Sequence, residues 1–394
     1  MAPDNDVFAG YRTHTIDIAS PDDDLVTVPA ARGVLTFEDG EGAAILVVAA
    51  ADMRRAARSR MTAAASPRAD LRAITRRIVT IATDSVFETD LLFLTTARVR
   101  LPSIYKAAAE RWRGWFLHVH PDEEHPRFVK QSTQSLEMDG GVLLGPVSDK
   151  HAAGKLIDRL IDVFDLCRYH SVLVQAPSGT ACAYKEMGRC PAACDGSETL
   201  ESYRGRVREA IECCRDGPEV VRDAWRKQMT QAASRLEFER AEHLRRKIDD
   251  AAALTHRSLR WLGVLDSMRL LCVTRGGAKD WARAHLVIPG RVLALADIHL
   301  DATRADLDAV LARAMILADG APAFGAAPEQ CDVLGLVSAH LYASGRHARA
   351  HAFVQLADAL DMADDLAMAL RGVLKRETDS GDVAESSDHA VGEL

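Results

Sequence analysis

The spacing of apolar and polar positions along the chain predicts short strands and helices of ordinary length. Residues 33–48 place two apolar runs on either side of an Asp- and Gly-rich turn, a pattern typical of a β-hairpin. Asp52 stands where an N-cap is needed for a helix over residues 53–61. Ser85 is placed to cap a further helix that must end before Pro102.

The rest of the chain continues this mixture. Helical spacing is found at residues 71–82, 147–166, 199–257, 303–319 and 329–374, and strand-like runs at 115–119, 127–130, 264–273 and 285–296. No repeat of 20–50 residues interrupts the pattern. The sequence therefore predicts a multidomain α+β protein.

Length and composition limit the class of protein. The chain has 394 residues, of which 27% are charged and 48% are hydrophobic. No apolar run reaches the ~18–20 residues that span a bilayer, and the acidic start lacks the order of a signal peptide. We therefore expect a cytoplasmic protein with no membrane contact.

The net charge of −8 is concentrated at the two ends. Residues 1–24 carry −5 and residues 377–394 carry −6, so the body between them carries +3. Both ends are poor in large apolar side chains, and we expect acidic disordered tails at 1–24 and 373–394.

Basic residues cluster within this body. Such clusters are typical of solvated helix faces, and a phosphate-binding surface is the more specific hypothesis. The candidate DNA-binding residues are Arg54, Arg55, Arg58, Arg60, Arg98 and Arg100.

Four of the eight cysteines fall in one loop-like segment, at Cys167, Cys182, Cys190 and Cys194. Four thiolates brought together on loops suit a [4Fe-4S] cluster or a tetrahedral zinc ion. Four unrelated buried thiols would produce the same letters, because free cysteine is commonly buried.

Residues 219–257 have the apolar spacing of two short amphipathic helices with Leu236 at the turn. Two such helices bury little apolar surface on their own and need a partner, in the same chain or in another. The segment is therefore either an internal helical hairpin or a docking module.

Together these features resemble the N-terminal half of UvrC, the nuclease subunit of bacterial excision repair. The four cysteines match those that ligate an iron–sulfur cluster in the family, and the phrase LEFERAEHLRRKI (236–248) resembles the UVR motif that contacts UvrB. The resemblance implies partner-binding residues at Leu236, Phe238, Glu239, Ala241, Leu244 and Arg245.

The family's GIY-YIG nuclease domain corresponds to residues 25–140, and here the sequence departs from the family. Leu35 and Leu46 stand at the positions of the two tyrosines, Ala49 at that of the lysine and Ala56 at that of the catalytic arginine. Glu88 alone matches the acid that holds the divalent metal, and we expect it to survive as a helix cap rather than as a ligand.

The resemblance implies a degenerate GIY-YIG-like domain (25–140), a cysteine-rich Fe–S region (145–215) and a UVR helical hairpin (219–257). The strand-like and helical spacing beyond them predicts an α+β region of unknown role (258–372). Our hypothesis is a catalytically silent protein that binds DNA and docks a UvrB-like partner.

Two alternatives remain open. The first is an active single-incision endonuclease using Mg²⁺ or Mn²⁺, with Tyr105, Lys106, Arg54 and Arg55 as replacement groups. The second is a UVR-type adaptor outside DNA repair.

Overall fold

Runs of alternating and β-branched residues form three antiparallel sheets in the part of the chain that the structure describes. The structure is a computed structural model that describes residues 11–19, 24–62, 70–344, 351–356, 362–375 and 389–392. The strands are β1 (Thr13–Asp17), β2 (Gly33–Glu38), β3 (Ala44–Ala50), β4 (Arg77–Ala82), β5 (Trp115–Val119), β6 (Val129–Ser132), β7 (Val142–Val147), β8 (Gly263–Val264), β9 (Leu270–Arg275), β10 (Trp281–Ile288), β11 (Arg291–His299), β12 (His351–Gln355) and β13 (His389–Gly392).

Helices occupy much of the remaining described chain, which is therefore mixed α and β. They are α1 (Met53–Thr62), α2 (Leu71–Ile74), α3 (Val86–Arg100), α4 (Tyr105–Ala109), α5 (Lys150–Val163), α6 (His170–Leu173), α7 (Ala183–Glu186), α8 (Leu200–Asp216), α9 (Pro218–Ser234), α10 (Phe238–Ala251), α11 (Arg304–Asp319), α12 (Pro328–Leu341) and α13 (Met362–Lys375). Within the described residues, none of these helices is both long and apolar enough to cross a membrane.

Two compact units divide these elements. One consists of residues 1–113 together with 269–394, and the other of residues 114–268. The boundaries differ from the predicted ones, because residues 114–140 belong to the second unit and the predicted region 258–372 is shared between both.

The first unit contains a five-stranded sheet of order β1-β4-β2-β3-β13. Its centre is the predicted hairpin, β2 and β3, whose turn is held by Asp39, which accepts hydrogen bonds from the backbone of Glu41 and Ala43, both at 2.9 Å. Asp52 caps α1 through the backbone N–H of Arg55 at 3.0 Å. The predicted hairpin and helix are both confirmed.

Two expectations are wrong for this sheet. Helical spacing at 71–82 gives only the short α2, because the β-branched run in β4 pairs with β1 on one side and β2 on the other. The ends of the chain are not wholly disordered, since β1 and β13 pair with the open edges of β4 and β3. The other residues of the predicted tails lie outside the described ones, apart from 11–12, 18–19, 24 and 373–375.

The first unit also contains a four-stranded sheet of order β11-β10-β9-β12. Its apolar face packs on α11 and α13 through residues such as Leu286, Leu311 and Leu366. The predicted helix over 329–374 is wrong at β12, which pairs with the buried strand β9. Strand pairing here outweighs local helical spacing.

The second unit packs α5 and α8 to α10 against a sheet of order β6-β5-β7-β8. Its core is fixed by Phe164 and Trp225, whose ring centroids lie 5.5 Å apart. Lys247 crosses this core with its ammonium 4.7 Å from the Trp225 ring and 3.2 Å from Asp165. The predicted helices over 147–166 and 199–257 are confirmed, with breaks at residues 217 and 235–237.

Candidate functional site

The positions of the β2–β3 hairpin and of α1 at which the family resemblance implies nuclease residues are filled by apolar side chains. Leu35 and Val48 face each other across β2 and β3 and are fully buried. Leu46, Ala49 and Ala56 are 4%, 2% and 5% exposed. None of these side chains offers an oxygen or nitrogen atom to a water molecule or a phosphate.

Glu88 lies in the first turn of α3, where its carboxylate is part of the helix N-terminus. The Ser85 hydroxyl accepts a hydrogen bond from the Glu88 backbone N–H at 3.2 Å and donates to Oε2 at 2.9 Å. The backbone N–H of Asp84 also donates to Oε2, at 3.2 Å. One carboxylate oxygen is therefore used to close the helix end, where negative charge is favoured.

The second carboxylate oxygen of Glu88 is enclosed by groups from distant parts of the first unit. The Tyr11 hydroxyl donates to Oε1 at 2.6 Å, and the Arg283 Nη1 atom lies 3.2 Å from it. His285, also on β10, places Nε2 at 3.4 Å from the same oxygen, with poor hydrogen-bond geometry. The Glu88 side chain is 0% exposed.

These neighbours determine the protonation states of the Glu88 carboxyl group and of the Tyr11 phenol. Burial opposes ionisation of Glu88, but the neighbouring His285, Tyr11 and Arg283 outweigh it and lower the Glu88 pKa to about 2. Burial and the adjacent carboxylate raise the pKa of Tyr11 far above its usual range. At neutral pH Glu88 is thus an anion already paired within the protein, and the Tyr11 phenol keeps its proton and cannot accept one from water.

Neither Tyr105 nor Lys106 is among the described groups within hydrogen-bond or ion-pair distance of the Glu88 carboxylate. Tyr105 is only 8% exposed, and Arg54 donates through Nε to the Val28 carbonyl at 2.7 Å. The structure does not bring the replacement groups expected for an active nuclease together around Glu88.

The six candidate DNA-binding arginines divide into two groups. Three are exposed on α1: Arg55, Arg58 and Arg60. Arg54 and Arg98 are half-buried, and Arg100 binds Glu38 at 2.7 Å and the Gly42 carbonyl at 3.0 Å. The three exposed arginines on α1 are therefore the candidates best placed to reach a phosphate in solvent.

Three of the four cysteines of the predicted metal centre lie on loops of the second unit, and Cys194 lies in a short 3₁₀ helix (Ala193–Asp195). The Cys167 thiol lies beside Cys190 and lowers the Cys190 pKa, and the Arg206 guanidinium adds to that effect. Burial raises the pKa of Cys194, and the thiols of Cys190 and Cys182 raise it further. Each of the four thiols therefore interacts electrostatically with another.

The loop that carries the cysteines is held closed by polar contacts. Gly179 N–H donates to the Cys194 carbonyl at 2.9 Å, and Lys185 binds Asp195 and Ser197. Four sulfur donors on one braced loop region match the ligand set of an iron–sulfur cluster or a zinc ion.

The predicted docking hairpin is formed by α9 and α10. At its tip Leu236, with a φ of 61°, is 72% exposed and Phe238 is 66% exposed. Glu239 is exposed and Ala241 is half-buried. Leu244 belongs instead to the core of the unit, and Arg245 pairs with Glu242 at 2.6 Å and Asp249 at 3.3 Å.

Sequence reasoning missed the partners of Glu88. Arg283 lies 195 positions and Tyr11 77 positions away along the chain, so no local spacing connects them. One signal was present in β10, where Arg283 and His285 put two polar groups on the same side of an otherwise apolar strand.

Comparison with known proteins gives one domain and a set of relatives. The family described as UvrC/Cho excinuclease, middle domain, matches residues 115–213. No solved structure matches the chain significantly.

The relatives are proteins called UvrABC system protein C. That of Ruminiclostridium cellulolyticum is 27% identical over 237 residues, which are 59% of this chain and 38% of the relative. That of Salinispora arenicola is 29% identical over 241 residues (58% and 34%), and that of Gemmatimonas aurantiaca 26% over 259 residues (65% and 40%). The chain thus spans about a third to two fifths of the relatives' length. The expected resemblance is confirmed: residues 115–213 match the UvrC/Cho excinuclease middle domain, and the chain is similar to UvrABC system protein C proteins over more than half of its own length.

Proposed function

We propose that this chain is a UvrC-like protein of bacterial nucleotide excision repair that has lost nuclease chemistry. It acts by binding DNA and by docking a UvrB-like partner. The observation that carries the proposal is the state of Glu88, whose two carboxylate oxygens are both engaged by protein donors in a fully buried position.

Phosphodiester hydrolysis needs an activated water, a metal on the phosphate oxygens and positive charge at the transition state. The hairpin and α1 offer only Leu, Val and Ala at the positions that would supply these groups. Loss of a single electrostatic donor typically lowers the rate by about 10²–10³. A catalytic Mg²⁺ keeps several waters and needs open carboxylate oxygens, which Glu88 does not offer.

Binding to DNA is assigned to the exposed arginines of α1. Each phosphate contact releases counterions, so three contacts give a slope of about −3 in a plot of log K against log salt. The body charge of +3 is permissive for such binding. The acidic ends compete for the same arginines, so binding is expected to be modest.

The proposed docking site for a UvrB-like partner is the tip of the α9–α10 hairpin. Leu236 and Phe238 expose large apolar side chains next to charged ones, as hot spots in interfaces do. The buried part of the hairpin, including Leu244, holds the tip in place.

The four cysteines are proposed to hold a [4Fe-4S] cluster, with zinc as the alternative. Bound there, the group supplies cross-links between loop segments that have little regular structure of their own. A brown anaerobic preparation that contains iron and sulfide supports the cluster. A colourless one with stoichiometric zinc on these cysteines contradicts it.

A nicking assay tests the loss of catalysis. Lesion-containing supercoiled plasmid is incubated with the full chain, a UvrB-like protein, and Mg²⁺ or Mn²⁺. We expect no nicking above a metal-free control, and no difference between the wild type and Glu88→Ala. Metal-dependent nicking that Glu88→Ala abolishes overturns the proposal.

The second candidate, a single-incision endonuclease, is favoured by one observation: Tyr11, Arg283 and His285 surround Glu88 and supply polar groups that the hairpin lacks. It predicts nicking in the same assay. An adaptor outside DNA repair predicts no salt-sensitive DNA binding, which a titration across salt concentrations detects.

A further inference from the structure

Two histidines and an aspartate of the second unit converge at a place unconnected with the cysteines. His118 lies in β5, and His120 follows two positions later, so both rings leave the same face of the extended chain. Asp139 lies in the loop before β7 and meets both rings. Its Oδ1 is 3.0 Å from His118 Nε2 and its Oδ2 is 2.9 Å from His120 Nε2.

The three ligand-type atoms all lie within 4.8 Å of one another. The two ring centroids are 4.6 Å apart at an interplanar angle of 74°, so the rings meet edge to face and their Nε2 atoms face the same carboxylate. His118 is 4% exposed, His120 26% and Asp139 46%. The cluster is thus buried on one side and open to solvent on the other.

The second nitrogen of His118 faces Gln131, whose Nε2 lies 3.3 Å from Nδ1. The amide oxygen of Gln131 is buried without a hydrogen-bond partner. A half-turn of the amide places this oxygen on the Nδ1–H and leaves the Nε2 lone pair of His118 directed at the cluster. Metal-ligating histidines are held in this way, by an acceptor on the other ring nitrogen.

Gly141 allows the His118 ring to approach the backbone closely. A Cβ at position 141 would lie only 2.1 Å from His118 Nε2, far inside contact distance, so the ring can occupy its place beside Asp139 only because residue 141 is glycine. The backbone N–H of Gly141 also donates to Asp139 Oδ1 at 3.3 Å and orients the carboxylate. Any larger residue here would block the site.

We propose that His118, His120 and Asp139 form a binding site for a divalent transition metal ion, with Zn²⁺ the ion best matched to the donors. Two imidazoles and one carboxylate are ligands that zinc accepts, and three protein ligands leave a coordination position for a solvent molecule. The donors are nitrogen and oxygen atoms, so the site differs in chemistry from the four sulfur atoms of the cysteine region.

The test is equilibrium dialysis of the full chain, as purified, against Zn²⁺ alone. We expect one zinc per chain that Asp139→Asn and His120→Gln weaken by at least about tenfold, since even outer-shell changes cost about 10–100-fold. The matched control is Glu137→Gln, an exposed acid two residues from Asp139, which leaves binding unchanged. The second variant replaces His120 rather than the buried His118, so a loss of zinc binding cannot be attributed to disruption of the core around His118.

Co²⁺ provides a second readout that separates the two donor sets. Cobalt on His118, His120 and Asp139 gives visible ligand-field bands without sulfur-to-metal charge transfer, and Asp139→Asn removes them. Equal zinc binding by wild type, Asp139→Asn and His120→Gln overturns the proposal. So does zinc that is lost only with Cys190→Ser, because the ion then sits on the cysteines.

Discussion

Removing Arg283 should destabilise the first unit through the charge that it leaves on Glu88. Arg283 Nη1 lies 3.2 Å from Glu88 Oε1 and 2.6 Å from the Tyr11 hydroxyl. Glu88 has no exposed surface, while the Arg283 side chain is 21% exposed. In Arg283→Met the carboxylate keeps its burial and loses its main cationic partner.

The magnitude follows from two independent figures. Breaking a fully buried ion pair from one side costs about 3–5 kcal/mol. The Glu88 pKa is lowered from 4.5 to about 2 by all its partners together, which at about 1.4 kcal/mol per unit corresponds to about 3 kcal/mol. Since Arg283 is partly exposed and His285 and Tyr11 remain, we expect the free energy of unfolding to fall by about 2–3 kcal/mol at pH 7.

The pH dependence has a definite sign. A carboxylate whose folded pKa is lowered contributes stability that is complete above its unfolded pKa and is lost as pH falls through the folded value. For Glu88 this window lies between pH 4.5 and about 2. The deficit of Arg283→Met should therefore be full at pH 7 and should shrink as the pH falls below 4.5.

Urea unfolding followed by circular dichroism at several pH values measures the effect. The control is Arg313→Met, an exposed arginine on α11 of the same unit, for which we expect no change beyond about 0.5 kcal/mol. In the Glu88→Gln background Arg283→Met should cost much less, because no charge remains to be stranded. Equal losses in both backgrounds, or a loss that does not depend on pH, would refute the reasoning.

Three further predictions follow from the second unit and from α1. Phe238→Ala should weaken binding of a UvrB-like protein at least about tenfold in a pull-down titration with unchanged unfolding, whereas Ile316→Ala, equally exposed elsewhere, should not. Replacing the three exposed arginines of α1 by alanine should remove most of the salt dependence of DNA binding, and an unchanged slope contradicts their role. Cys190→Ser should lower the iron content and the visible absorbance, while Cys213→Ser, a buried cysteine outside the cluster, should leave both intact.

Local features of the fold could be predicted from the sequence, because their causes are local. The turn around Asp39 and the caps at Asp52 and Ser85 use side chains that bond backbone groups a few residues away. The strand β12 could not be predicted in this way, since it depends on a free edge of β9, whose paired residues lie 77–85 positions earlier.

The candidate sites show the same division. The four cysteines lie within one short segment, and the residues of the apolar hairpin lie within another. Each set could therefore be recognised from the sequence. The enclosure of Glu88 depends on side chains from β10 and from the start of the chain, which only the folded sheet arrangement brings together. The partners of Asp139, one on β5 and one directly after it, gave a weak signal, a pair of histidines separated by one residue.

The division of the first unit between the two ends of the chain has a consequence during synthesis. Glu88 leaves the ribosome 195 residues before Arg283, a delay of about 10–40 s at ordinary rates of elongation. All of residues 114–268 emerge in that interval. The second unit can therefore complete its folding before residues 1–113 meet the remainder of the first unit. Until β10 emerges, the Glu88 carboxylate lacks the positive charge of Arg283, so the charge of the N-terminal sheet is balanced only after this distant strand has been synthesised.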